Sequence, residues 1–140
     1  MFCQNIAHLQ WLHVLVATIA YFLIGAVWYS PVLFSKAWIK ATGLNPNNPE
    51  GKKGLGALMA GSFVLMLVTV FGLAVLLQIL PAINALGGIK LALLIGVCFS
   101  FTSMAISFIY EKRPWQLYAI NGGYHIVGIA VAGAILAGWQ

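Results

Sequence analysis

The sequence predicts an all-α membrane protein: an up-down bundle of four transmembrane helices, with a short interfacial helix after the first span. Four long stretches carry this. Leu12–Ser30, Leu55–Leu80, Leu91–Tyr110 and Trp115–Trp139 contain no Asp, Glu, Lys or Arg. A hydrocarbon core roughly 30 Å thick needs about 20 apolar residues of helix, so each stretch is long enough to cross with some tilt. Composition agrees: 62% of the 140 residues are hydrophobic and 6% are charged, whereas a soluble domain carries about 25% charged residues. Soluble helices need a polar face, and none of the four stretches has a charged one. Residues 1–140 read as a single integral membrane domain, with spans near 11–30, 55–80, 89–110 and 115–139.

The distribution of charge sets the expected topology. Lys36, Lys40, Lys52 and Lys53 lie between the first and second spans, and Lys112 and Arg113 lie between the third and fourth. Lys90 alone lies between the second and third. Loops one and three share a side, and the positive-inside rule puts that side in the cytoplasm, with both termini extracytoplasmic. The basic residues are read first as membrane-flanking anchors and second as contacts for anionic lipid. They form no stripe for nucleic acid. Met1–Gln10 has no positive n-region, and the first apolar stretch ends in bulky Trp28-Tyr29. It therefore reads as a retained span, not a cleaved signal peptide.

Taken in order, the first span ends at Trp28-Tyr29-Ser30-Pro31, where aromatic rings suit the interface and the proline redirects the chain. Val32–Ala41 places Phe34, Ala37, Trp38 and Ala41 on one helical face and Lys36 and Lys40 elsewhere, the pattern of a short helix lying on the cytoplasmic surface. A plain extension of the first span is the alternative. Thr42–Gly54, with Asn45-Pro46-Asn47-Asn48-Pro49, spells turns. Pro81–Lys90, holding Asn84 and Gly87-Gly88, reads as a short outer loop. Glu111–Pro114 reads as a tight inner turn leading into the fourth helix. Loops this short make consecutive helices antiparallel neighbours. Gly128 and Ala132, Gly133 and Ala137, and Ala57 and Gly61 have the small-xxx-small spacing that permits close helix approach, within the bundle or between copies.

Polar groups inside the bilayer are costly, so they are the place to look for function. At 1.5 Å of rise per residue, Tyr21, Thr69, Ser100, Ser103 and His125 fall at similar depth, with Asn121 and Tyr124 just below. They form a candidate polar or binding layer. His125 is either a proton-responsive or ligand-binding group, or a neutral ring held by one hydroxyl that ties two helices together. No metal and no cofactor is expected. His13 lies roughly 15 Å from His125 by helix rise, and no span holds a carboxylate to complete a metal site. The first helix also lacks the embedded Glu that small four-helix multidrug exporters carry. No nucleophile–base pair is apparent, so no catalytic residue is expected. Cys3 and Cys98 sit at different depths and are not expected to pair.

The segment Gly25-Ala26-Val27-Trp28-Tyr29-Ser30-Pro31-Val32-Leu33-Phe34-Ser35-Lys36-Ala37-Trp38 is distinctive. Together with Asn121-Gly122-Gly123-Tyr124-His125 and Gly133–Ala137, it resembles a bacterial family of small four-helix membrane proteins of unknown function, DUF1761. The resemblance covers nearly the whole chain. It implies a bacterial inner-membrane protein with four spans, and it implies no activity. It draws attention to Trp28, Tyr29, Ser30, Pro31, Phe34, Lys36, Trp38, Asn121, Tyr124 and His125, which match its pattern.

The functional expectation is a non-enzymatic membrane module in contact with lipids, either a homo-oligomer or an accessory subunit of a larger membrane complex. The alternative is a small transporter or channel using the Tyr21–His125 layer. At the inner end of the first span, the aromatic motif of Trp28, Tyr29, Ser30, Pro31, Phe34 and Trp38 is expected to fold back under the bundle, with Asn121 in reach of Tyr29 or Ser30. A simple aromatic belt is the competing expectation.

Overall fold

The structure, a computed structural model, describes residues 2–45, 47–80 and 83–139. Pro46, Pro81 and Ala82, which the sequence places in turns, lie outside the described residues. The elements are α1 (Phe2–Ala7), α2 (Trp11–Trp28), α3 (Ser35–Thr42), α4 (Pro49–Lys52), α5 (Leu55–Ile79), α6 (Ala85–Ile95), a π-helical segment (Gly96–Phe101), α7 (Thr102–Tyr110) and α8 (Trp115–Gly138). No strand occurs among the described residues. Four helices are long and apolar enough to cross a membrane: α2, α5, the continuous α6–π–α7 helix (Ala85–Tyr110) and α8.

The spans alternate in direction. His13 near the start of α2 stacks on Trp139 just past the end of α8, with ring centroids 4.2 Å apart. Tyr29, which caps the other end of α2, bonds Asn121 early in α8. These two helices therefore run antiparallel along their whole length. Phe108 meets Tyr118, and Gly88 meets Gly133, so the third span also runs antiparallel to α8. Six of the seven basic residues, with Glu50 and Glu111, gather at the end of the bundle where α2 and α7 finish and α5 and α8 begin. This is called the basic end below.

Packing is centred on α8. It touches α2, α5, the third span and α3. In its most apolar stretch 44% of residues are buried, against 28% for α5 and 11% for the third span. The reason is the absence of side chains. A Cβ at Gly133 would lie 2.7 Å from the Gly88 carbonyl oxygen, and one at Gly88 would run into Gly133 and the Ala137 methyl. The two backbones therefore touch. Lipid offers helices no hydrophobic reason to associate, so close packing of this kind supplies the attraction instead.

The third span differs from its expected course in two ways. It begins at Ala85, not near 89, and the outer loop is correspondingly shorter. Gly87 and Gly88, expected in that loop, are helical. The Asn84 side chain accepts a hydrogen bond from the Gly87 N–H at 2.9 Å, capping the helix start, and Gly88 is the close-approach site against α8. The second difference is the π-helical turn. Its wider winding leaves backbone groups to be re-satisfied, and Thr102 Oγ1 donates to the Cys98 carbonyl at 2.7 Å. Phe101, at the end of the turn, fills the notch left by Gly122.

After α2 the chain turns sharply before α3. The Phe34 N–H donates to the Trp28 carbonyl, and the Ser35 N–H to that of Ser30. This folding consumes Val32 and Leu33, so the short helix starts at Ser35 instead of Val32. Gly43, at φ 72°, ends it in the left-handed conformation that glycine adopts at least cost.

The two kinds of glycine give a direct test. Gly61 and Gly72 of α5 have open space where a Cβ would point. Gly133→Leu is expected to lower unfolding stability in mixed micelles by about 1–3 kcal/mol through overpacking. Gly61→Leu is expected to change it by less than about 0.5 kcal/mol.

Candidate functional site

The polar side chains of the bundle concentrate in a seam between α2 and α8. Tyr21 is 2% exposed, and its ring occupies the space a side chain at Gly128 would need. Its hydroxyl lies 2.6 Å from His125 Nδ1. When the phenol donates, Nδ1 is the bare nitrogen and the ring proton sits on Nε2. Tyr124, the residue before His125, lies between Tyr21 and Tyr29, with centroid separations of 5.4 Å to each. Its hydroxyl packs over the backbone of Gly25 and donates to Met66 Sδ of α5 at 3.4 Å. Three helices thus meet on Tyr124.

Below it the seam is closed by two further bonds. Tyr29 donates its hydroxyl to Asn121 Oδ1 at 2.8 Å, and Trp28 Nε1–H donates to the Ile120 carbonyl at 2.9 Å. Phe34 packs on Trp28 at 4.9 Å, and Trp38 of α3 meets Tyr29 edge-on at 6.0 Å. Trp38 is half-buried against the bundle, so the motif folds back on the seam. Lipid anchoring alone requires no such bonds. Ser30 turns away from Asn121 and bonds the Val27 carbonyl of its own helix. Pro31 is exposed at the bend.

The hydroxyls expected to complete the layer do not join it. Thr69 is exposed, and its hydroxyl donates to the Leu65 carbonyl one turn back. Ser103 is exposed, and Ser100 is half-buried on the π turn of the third span. Rotation about the helix axis decides which side chains meet. Thr18 likewise bonds its own helix, at Val14. Such hydroxyls satisfy themselves locally and need no partner helix.

Sequence reasoning missed two participants. Met66 carries no polar signal beyond its sulfur, yet it accepts from Tyr124. Gln78 is a carboxamide near the end of a span, a polar signal visible in the sequence. Its Nε2 donates to the His8 carbonyl at 3.3 Å. Its Oε1 is buried with no partner among the described residues, beside a cavity of about 50 Å³ that His13 and Gln10 also line. A larger groove, about 420 Å³, opens between α5 and the third span. Val68, Gly72, Leu76, Ile79, Ile95 and Ile129 line it. The seam residues line neither cavity. His125 is bonded to Tyr21, and His13 is stacked on Trp139. Both thiols, Cys3 and Cys98, are free and exposed.

Four helices long and apolar enough to cross a membrane, two of them bonded along a polar seam, mark a multi-pass membrane protein. The chain belongs to the family described as protein of unknown function DUF1761, whose model matches residues 12–137. No curated protein and no solved structure matches it.

The seam bonds have measurable consequences. Tyr21→Phe and Tyr29→Phe should each lower stability in mixed micelles by about 0.6 kcal/mol, the typical value of an interhelical bond in a membrane. In double-mutant cycles the effects should vanish on His125→Ala and Asn121→Ala backgrounds respectively. Thr69→Ala should have no comparable effect.

Proposed function

We propose that the chain is a non-enzymatic membrane module that acts by association, as a homo-oligomer or as an accessory subunit of a larger membrane complex. One observation carries this reading: the polar side chains of the α2–α8 seam are bonded to one another inside the bundle, while the sides of the bundle are left sparsely packed. Residues 55–62 of α5 are all exposed. The third span is held almost wholly through its α8 face. Between these two arms lies the apolar groove. A bundle built to enclose a solute path would keep its polar groups around a cavity. Here Tyr21 and His125, and Tyr29 and Asn121, are bonded across a packed seam that lines neither cavity.

The setting we propose is the bacterial inner membrane. The basic end lies in the cytoplasm and both termini are extracytoplasmic, on the strength of the charge asymmetry between the two ends. A reporter fused at Asn47 should then read as cytoplasmic and one at the C-terminus as extracytoplasmic. The opposite pattern would overturn the orientation. Gentle extraction from native membranes followed by mass measurement should give a particle heavier than one 15.1 kDa chain with its bound lipid. A strictly monomeric particle without partner would contradict the association reading.

A second reading, a small transporter or channel, is favoured by one contact: the midplane pair Tyr21–His125. In liposomes it requires a solute or proton flux that His125→Ala changes. The association reading expects no flux from either form.

A further inference from the structure

The exposed face of α3 carries two lysines and no acid, and none of the seam chemistry uses it. Lys36 and Lys40 stand one turn apart on that face and are both exposed, with Ala37 between them. Ser35, Trp38, Ile39 and Thr42 face the bundle and are half-buried. The helix is amphipathic in place, and its position is fixed. The Trp38 ring meets Tyr29, whose hydroxyl reaches Asn121. Asn121 lies six residues into α8 from Trp115, about 9 Å along the axis. Helix α3 therefore sits beside the first turns of α8 and does not trail away from the bundle. Exposed Tyr110 and Trp115 mark the same level, the depth at which aromatic residues meet the headgroups.

The charge around this face is one-sided. The basic end holds six basic residues and two acidic ones. Of the two acids, Glu111 is already engaged by Arg113 Nε at 2.8 Å. No carboxylate lies on α3 itself.

We propose that the Lys36–Lys40 face of α3 is a docking surface for the phosphate headgroups of anionic phospholipid. Charge complementarity selects the anion, and depth selects the lipid. Size argues against an acidic protein partner. Eight residues of helix present a face roughly 12 Å by 10 Å, whereas a stable protein interface buries about 800 Å² on each side. A headgroup fits within one such face. The proposal rests on the four helices crossing a bilayer and is independent of whether the chain self-associates.

The test uses the full-length chain reconstituted in nanodiscs of equimolar phosphatidylglycerol and phosphatidylcholine. Native mass spectrometry then reads the lipids that remain bound on release. The wild-type chain should retain phosphatidylglycerol in preference to phosphatidylcholine. Each lysine near the surface contributes about 1 kcal/mol, so Lys36→Gln should cut the preference about fivefold. Lys36→Gln with Lys40→Gln should remove most of it, while Lys90→Gln, at the opposite end, should leave it intact. Both lysines are exposed, and the double variant should keep the wild-type helix content by circular dichroism. Retention of the two lipids in the bulk ratio by wild type would overturn the proposal, as would an unchanged preference in the double variant. Release of the wild-type chain from membranes by alkaline wash would overturn both this proposal and the spanning arrangement beneath it.

Discussion

The structure depends on the bareness of α8. In water a helix can be held to its neighbours by burying apolar surface. In a bilayer that gain is missing, because lipid is as apolar as the side chains, and close packing has to supply the attraction. Helix α8 achieves it by presenting glycine where other helices must approach. Gly128 receives the Tyr21 ring, Gly122 receives Phe101, and Gly133 receives the backbone at Gly88. Each contact is a concavity on α8 filled by a neighbour. The other spans supply fewer such notches, Gly25 on α2 and Gly88 on the third span among them.

The polar seam follows from that packing. Tyr21 can reach His125 because its ring occupies the space left by the missing side chain of Gly128. Tyr124 can sit between two tyrosines because Gly25 leaves room for its hydroxyl. The seam supplies direction and register where the glycines supply proximity. A polar group left unpaired in hydrocarbon is costly, so Asn121 and the Trp28 indole fix how α2 slides along α8. The turn after Trp28 and the seating of α3 are consequences of that register. One side of the bundle is therefore rigidly specified; on the other, the third span is held almost wholly through α8, while α5 packs on both α2 and α8.

Much of this was legible in the sequence because the bilayer makes strong demands. Uncharged stretches of the right length gave the four spans, and the aromatic motif with Asn121 gave the contact between the first and last of them. Depth could be read from residue count, which placed Tyr21 level with His125. Rotation could not. Thr69 and Ser103 are exposed and Ser100 is half-buried, and none of them joins the seam. The π turn at Gly96–Phe101 shifts the rotation of α7 relative to α6, and no residue in the segment announces it. Gly87 and Gly88 were ambiguous for a physical reason. A glycine pair suits a flexible loop and a close helix crossing equally well, and the partner at Gly133 that decides between them lies far along the chain.

The contact that everything else rests on can be observed directly. In lipid bilayers, magic-angle-spinning NMR of the chain carrying ¹³C-labelled glycine reports carbon pairs that lie close together. The account predicts a cross-peak between Gly88 and Gly133, persisting at lipid compositions that leave the chain folded. Correctly folded chain with no such cross-peak would mean that the third span and α8 do not meet backbone to backbone. The glycine-centred account of the bundle would then be wrong.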